Sequence, residues 1–121
     1  MKFQVLAIAS DLFLQSRIME LAKACGAYAK IVTREEDLVA ETSSNNPTLV
    51  ILDLASTEYD PFSCAKKLKS GGVPPRILAV YPHIRTDLRV RAQEAKIDYV
   101  VPNSSFLKTL KAVLETEVVR T

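Results

Sequence analysis

The sequence predicts an α/β domain built on a doubly wound parallel sheet, and three observations carry that expectation. Short apolar runs alternate five times with segments patterned as amphipathic helices. The stretches between them are only a few residues long, as βα and αβ connections are. The central run, Pro47 to Leu54, is almost continuously apolar and rich in β-branched residues. A run of that kind fits a strand covered on both faces.

Length and composition fit one domain over residues 1–121, large enough to bury a single core. The formal net charge of +2 is too small to argue for nucleic acid. Cys25 and Cys64 lie in helical patterns with no Cys-x-x-Cys spacing, so they are expected to be reduced, buried packing thiols. Free thiols of this kind and the ordinary composition point to a cytoplasmic protein. The amino-terminal apolar run is too short to span a bilayer, and Asp11 breaks any signal-peptide layout. No glycine-rich loop follows it, which leaves dinucleotide binding without support. No nucleophile elbow is present either, and an enzyme is not expected.

The elements follow in order. Phe3 to Ala9 reads as the first strand, with Ser10 or Asp11 to cap the next helix. In that helix Leu14, Ile18, Leu21, Ala22 and Cys25 recur at helical steps as a buried stripe, while Arg17, Glu20 and Lys23 face water. Gly26 ends it. Ala27 to Val32 is a short strand. Thr33 and Glu36 have the spacing of a capping box and open a helix through about Thr42. After the central strand and a loop over 54–59, Asp60 is placed to cap a helix whose first position is Pro61. Cys64, Ala65 and Leu68 are its inward residues, and Lys66, Lys67 and Lys69 its outward ones. Gly71, Gly72, Pro74 and Pro75 close it.

Ile77 to Tyr81 is the fourth strand. Ile84, Leu88, Ala92 and Ala95 mark the buried side of the fourth helix, beside a basic row of Arg85, Arg89 and Lys96 with Gln93. Asp98 to Val101 is the fifth strand. The last helix starts on Asn103 or Ser104 and turns Leu107, Leu110, Val113, Leu114 and Val118 inward. Right-handed crossovers between five such units give a flavodoxin-like (βα)5 fold, a five-stranded parallel sheet with helices on both faces. Asp53, the one acid in the central run, then falls at the carboxyl end of a middle strand, where open α/β sheets place their ligands.

In this order and spacing the chain resembles the receiver domain of bacterial two-component response regulators, of the chemotaxis-regulator (CheY-like) type. Leu49 to Leu54 resembles the strand that ends in the phosphorylated aspartate. Asp60-Pro61 stands where the family has Asp-Gly, Ile77 to His83 resembles the fourth strand, and Arg91 to Ala95 resembles the Arg-Ala-x-Glu-Ala helix end. Asp98 to Val101 resembles the fifth strand. The resemblance implies a signalling domain in a phosphorelay, with Asp53 as candidate phospho-acceptor. It implies Mg²⁺ held by acids after the first strand, a small hydroxyl ending strand four and a lysine ending strand five.

The site positions depart from that pattern. Ala9 and Ser10 occupy the places of the acid pair, with Asp11 next along. Tyr81 stands where the small hydroxyl belongs. Pro102 replaces the lysine, or Asn103 does if the register slips by one, and neither is a cation. Tyr99 matches the family's rotameric-switch aromatic. An acyl phosphate on Asp53 needs a divalent ion and a fixed positive charge to neutralise it. With Asp11 and Asp53 alone, Mg²⁺ binding is expected to be weak if it occurs at all.

The expectation is therefore a pseudo-receiver, in which Asp53 is a vestige of the site and the fold serves as a protein–protein interaction module independent of phosphorylation. Arg85, Arg89 and Lys96 are the candidate docking residues, on the surface of the fourth helix, fifth strand and fifth helix, which also suits a homodimer. An acidic protein partner is favoured there over nucleic acid, and no membrane is involved. The alternative is a phospho-accepting receiver using Asp53 with Mg²⁺. A small-molecule binder is allowed by the fold and indicated by no residue. His83, without a second histidine or cysteine nearby, is expected to be an exposed loop residue.

Overall fold

A computed structural model of the chain describes residues 3–120, and the side chains of residues 3–116. Its elements alternate: β1 (Gln4–Ile8), α1 (Leu12–Ala24), β2 (Tyr28–Val32), α2 (Glu35–Asn45), β3 (Leu49–Asp53), α3 (Pro61–Lys69), β4 (Arg76–Tyr81), α4 (Thr86–Glu94), β5 (Tyr99–Pro102) and α5 (Asn103–Arg120). The strands form one parallel sheet in the order β2-β1-β3-β4-β5. This is the flavodoxin-like order.

The apolar run in β3 is continuous because both of its faces are covered. Leu49 and Ile51 share a core with Ile18 and Ala22 of α1 and Phe106 and Leu110 of α5. Val50 and Leu52 share the opposite core with Leu38 of α2, Cys64, Ala65 and Leu68 of α3, and Leu88 and Ala92 of α4. The chain leaving β1 thus crosses to one face and the chain leaving β3 to the other. Their carboxyl ends part, and a crevice opens between them. In a sheet of this order that is the topological switch point.

Two helices start as their sequences require. Asp11 caps α1, its Oδ1 accepting from the N–H groups of Phe13 and Leu14 at 2.8 and 3.1 Å. Asp60 caps α3 in the same way, with Phe62 and Ser63 at 3.1 and 3.2 Å and Pro61 in the first turn. Gly26, with φ of +76°, supplies the left-handed turn after α1.

Several expectations are corrected. The capping box at Thr33 does not form. Arg34 is the N-cap of α2 and makes no side-chain cap bond, while Glu36 pairs with Arg34 instead. Three acids in the first turn, Glu35, Glu36 and Asp37, provide the favourable charge there. This helix also runs past Thr42 to Asn45 and stops on Asn46 in the left-handed conformation that asparagine tolerates.

Ile84 is 75% exposed because α4 begins only at Thr86, so the apolar period read through it crosses a turn. Lys96, with φ of 59°, lies beyond the end of α4 and leaves the helical row. Leu107 is exposed, and Phe106 takes the buried place beside it. Within α1, Ile18 and Ala22 are fully buried, whereas Leu14 and Leu21, and Cys25 at its C-cap, are half-buried. The side chain of Val118 lies outside the described residues.

Candidate functional site

Asp53 ends β3 at the mouth of the crevice. Its Oδ1 accepts the N–H of Ala55 at 3.0 Å, so the carboxylate caps its own turn. Burial raises its pKa above the ordinary carboxylate value; the Ala55 N–H works against that shift and the charge of Asp11 adds to it. Among the described residues the charge that acts on Asp53 is thus a second acid, with no cation to offset it. Asp11 is exposed, and one of its oxygens is occupied by the α1 cap. Ala9 is buried, its carbonyl accepting from Gln15 Nε2 at 2.6 Å, and Ser10 is exposed.

The main chain of Asp53 has a partner that sequence reasoning missed. The ladder between β1 and β3 ends at Ile8 opposite Leu52, and the next residue, Ala9, turns its N–H to Val32 of β2. On the other side, the Leu54 N–H reaches Val80 of β4. Successive residues of a strand alternate the side to which they present N–H and C=O. Both polar groups of Asp53 therefore point into the gap where β1 has stopped.

The hydroxyl of Tyr59 fills that gap. It accepts the Asp53 N–H at 2.8 Å and donates to the Asp53 carbonyl at 3.0 Å. It does what one residue of a neighbouring strand would do. The aromatic ring packs on the core shared by α2, α3 and α4. Burial drives the Tyr59 pKa far up, which keeps the phenol protonated and able to donate. No pattern of apolar residues marks such a side chain, because its role is set by where β1 ends. The one sequence signal was a tyrosine in the loop immediately after the central strand.

The other predicted site residues are dispersed. Tyr81 is 6% exposed and belongs to the core on the α2–α3–α4 side, with Leu54, Leu88, Ala92 and Ile97. Pro102 pairs with it at the end of β5. Tyr99 packs against the opposite core, and its hydroxyl accepts from Arg76 Nη1 at 3.3 Å, at the amino end of β4. The structure therefore does not bring Tyr81 and Tyr99 together. Arg85 is the N-cap residue of α4 and is paired in fork fashion with Asp87, at 3.0 and 2.9 Å. Arg89 is exposed on the helix itself, next to the exposed Val90. His83 is exposed.

Away from the crevice, the thiol of Cys64 donates to Glu35 at 3.2 Å, with its pKa pushed up to about 12 by burial and by that carboxylate. Lys67 holds the other oxygen of Glu35 at 2.7 Å. This ties α3 to α2.

The donor set does not fit a held Mg²⁺ ion. Two carboxylates face the crevice, each with one oxygen already on main-chain N–H groups, and the Asp53 carbonyl is taken by Tyr59. Among the described residues no three acidic, histidine or cysteine groups are gathered to bind a metal. None of the described helices is long and apolar enough to cross a membrane.

No family model matches the chain, and no curated protein matches it. Solved structures do. A response regulator signal receiver domain from Bermanella marisrubri superposes with a TM-score of 0.85 at 17% identity, covering 98% of this chain and 99% of that one. The signal receiver domain of a DNA-binding response regulator from Colwellia psychrerythraea gives 0.82 at 19% identity, over 99% and 100%. A response regulator from Thermotoga maritima gives 0.82 at 10% identity, over the full length of both chains. The fold is that of response regulator receiver domains.

Proposed function

We propose that this chain is a receiver-like signalling domain that works as a protein–protein interaction module without phosphorylation of Asp53. The observation that carries this reading is the charge around that carboxylate. A phosphorylated aspartate gathers further negative charge, which must be met by a metal or a fixed cation. Asp53 instead has Asp11 beside it, a proline at the end of β5, and a buried tyrosine at the end of β4. The fold is kept while the electrostatics of phosphoryl binding are absent. Such a domain signals by docking, and it is not an enzyme.

The surface of α4, β5 and α5 is the docking face in this reading, for a protein partner or a second copy. Arg89 and Val90 combine a cation and an apolar contact there, a pairing suited to interfaces. Arg85 contributes less charge than its sequence suggests, because Asp87 neutralises it. The test is intact mass after incubation with acetyl phosphate and Mg²⁺, with wild type beside Asp53→Ala. Both are expected to stay unmodified. A phosphoryl adduct on wild type alone would establish Asp53 as a working acceptor and overturn the reading.

A further inference from the structure

We infer that the groove between α1 and α5 is a second docking site, and that its occupant is an amphipathic helix of a partner protein, its apolar stripe flanked by acidic residues. This rests on the reading of the chain as an interaction module. It adds a face that lies away from both α4 and the crevice at Asp53.

The groove follows from the way two helices share one side of the sheet. Ile18 and Ala22 of α1, and Phe106, Leu110 and Leu114 of α5, are committed to the core beneath. Arg17, Leu21 and Ala24, at steps of four and three, make the next row on α1, and Leu107 and Lys111, four apart, make it on α5. Between the rows lies a furrow of about 510 Å³. Its floor is apolar, with Leu21 half-buried, Ala24 exposed and Leu107 39% exposed. Because Phe106 fills the buried place in that turn, Leu107 is left over from the core. Apolar side chains gathered in one exposed furrow mark a place where another molecule is buried.

The charge selects the occupant. Among the described residues, Arg17, Lys108 and Lys111 border the furrow against one acid, Glu20. Arg17 lies over the Phe13 ring, 4.9 Å from its centroid, which steadies the guanidinium at the end nearer the start of α1. Lys111 is held only loosely, 3.8 Å from Glu115 with both side chains exposed. An apolar floor with a cationic rim complements a leucine-type stripe that has Asp or Glu beside it. A second copy does not fit, since a two-fold contact would set this patch against itself and cations against cations.

The shape agrees. From Arg17 to Ala24 the wall spans about two turns, roughly 10 Å, which a helix laid alongside can fill with one ridge of side chains. The wall begins about 7 Å along α1 from its start at the carboxyl edge, so the occupant has no need to reach Asp53.

Two synthetic helical peptides of equal length are the probes, both with leucines at i, i+4 and i+7. One carries glutamates beside the leucines and the other lysines. Each is titrated into isotope-labelled protein without a phosphodonor, and the amides are followed by NMR. The glutamate peptide is expected to shift Leu21, Ala24, Leu107 and Lys111 and to leave Leu88 and Ala92 of α4 unmoved. The lysine peptide should bind at least tenfold more weakly, and the double variant Lys108→Glu, Lys111→Glu should reverse that order. Leu107→Ser changes an exposed side chain and keeps the fold, and it should weaken the glutamate peptide by roughly tenfold, the low end of what burying a leucine is worth. Lys66→Glu makes the same charge change on α3, across the sheet, and should leave the affinity within about twofold because distant exposed charges are screened.

Equal affinity for the two peptides, shifts confined to other residues, or an affinity unmoved by Leu107→Ser would each overturn the site. Shifts of the same amides that grow with protein concentration, without peptide, would overturn the occupant and put a second copy there. No phosphodonor is used, so failure here is separate from an adduct on Asp53, which bears on the signalling reading.

Discussion

Along the carboxyl edge of the sheet, the gap between β1 and β3 and the junction of β4 and β5 are closed by tyrosines used in opposite ways. Tyr59 closes the first with its hydroxyl, which bonds the N–H and C=O of Asp53. Tyr81 closes the second with its volume, buried to 6% exposure among Leu54, Leu88, Ala92 and Ile97 and paired in the ladder with Pro102. A closure made by two hydrogen bonds is undone by moving one group. A closure made by a packed ring is undone only by emptying part of the core. The polar half of the edge is held by hydrogen bonds, and the apolar half by packing.

The largest effect should come from breaking the apolar half. Tyr81→Ala deletes a buried aromatic side chain and leaves a cavity in the core below α4, at a cost of about 3–5 kcal/mol. Urea unfolding, with the midpoint read at constant slope, measures it. A loss under about 1 kcal/mol, the scale of a surface change, would mean that Tyr81 lines an open pocket, and the contrast with Tyr59 would fail.

That contrast also explains what the sequence revealed and what it hid. The sheet was legible because β3 is covered on both faces, and a doubly covered strand must be apolar throughout. The starts of α1 and α3 were legible because aspartate at an N-cap is a local device, complete within three residues. The error at Thr33 arose because another local device, the pair of Arg34 with Glu36, competed for the same glutamate. Ile84 and Lys96 misled for a different reason. A helical period extends on paper past the turns that break it, and α4 has only nine residues.

At the site, residue identity gave Tyr81 and Pro102, neither a cation, for the ends of β4 and β5. It could not show that Tyr99 faces the other core from Tyr81, since a strand four residues long leaves its face ambiguous. Nor could it show Tyr59 at Asp53, because that contact depends on β1 ending one residue short of it.

A middle-sized effect tests the far end of the loop that carries Tyr59. Asp60→Ala should cost about 1 kcal/mol, the usual worth of an aspartate N-cap with two N–H partners. By contrast, Arg34→Ala at the start of α2 should leave the midpoint almost unmoved, since Arg34 makes no cap bond and its pair with Glu36 is exposed. Denaturant midpoints of the two variants decide it. Equal losses would show that capping does not distinguish the two loops, and that Asp60 is no firmer an anchor than Arg34.

The smallest effect is electrostatic and carries a sign. The folded state raises the pKa of Asp53 above its ordinary value of 3.8, through burial first and Asp11 second, against the Ala55 N–H. A carboxyl raised in this way favours the fold while protonated, below its unfolded pKa, and loses that contribution as pH rises through the folded value. At neutral pH the ionised group is therefore held against the preference of its surroundings. Asp53→Asn keeps an oxygen for the Ala55 N–H and abolishes the ionisation. It should be more stable than wild type near pH 7, by less than the Asp60 cap is worth, and the advantage should vanish once the pH falls below about 3.8. Urea midpoints across that range give the answer. An asparagine variant less stable than wild type at neutral pH would mean that the charge on Asp53 has a favourable partner, and a cation near the crevice would then have to be found. With no cation acting on it among the described residues, the carboxylate is a charge the fold tolerates, on a main chain whose N–H and C=O Tyr59 bonds.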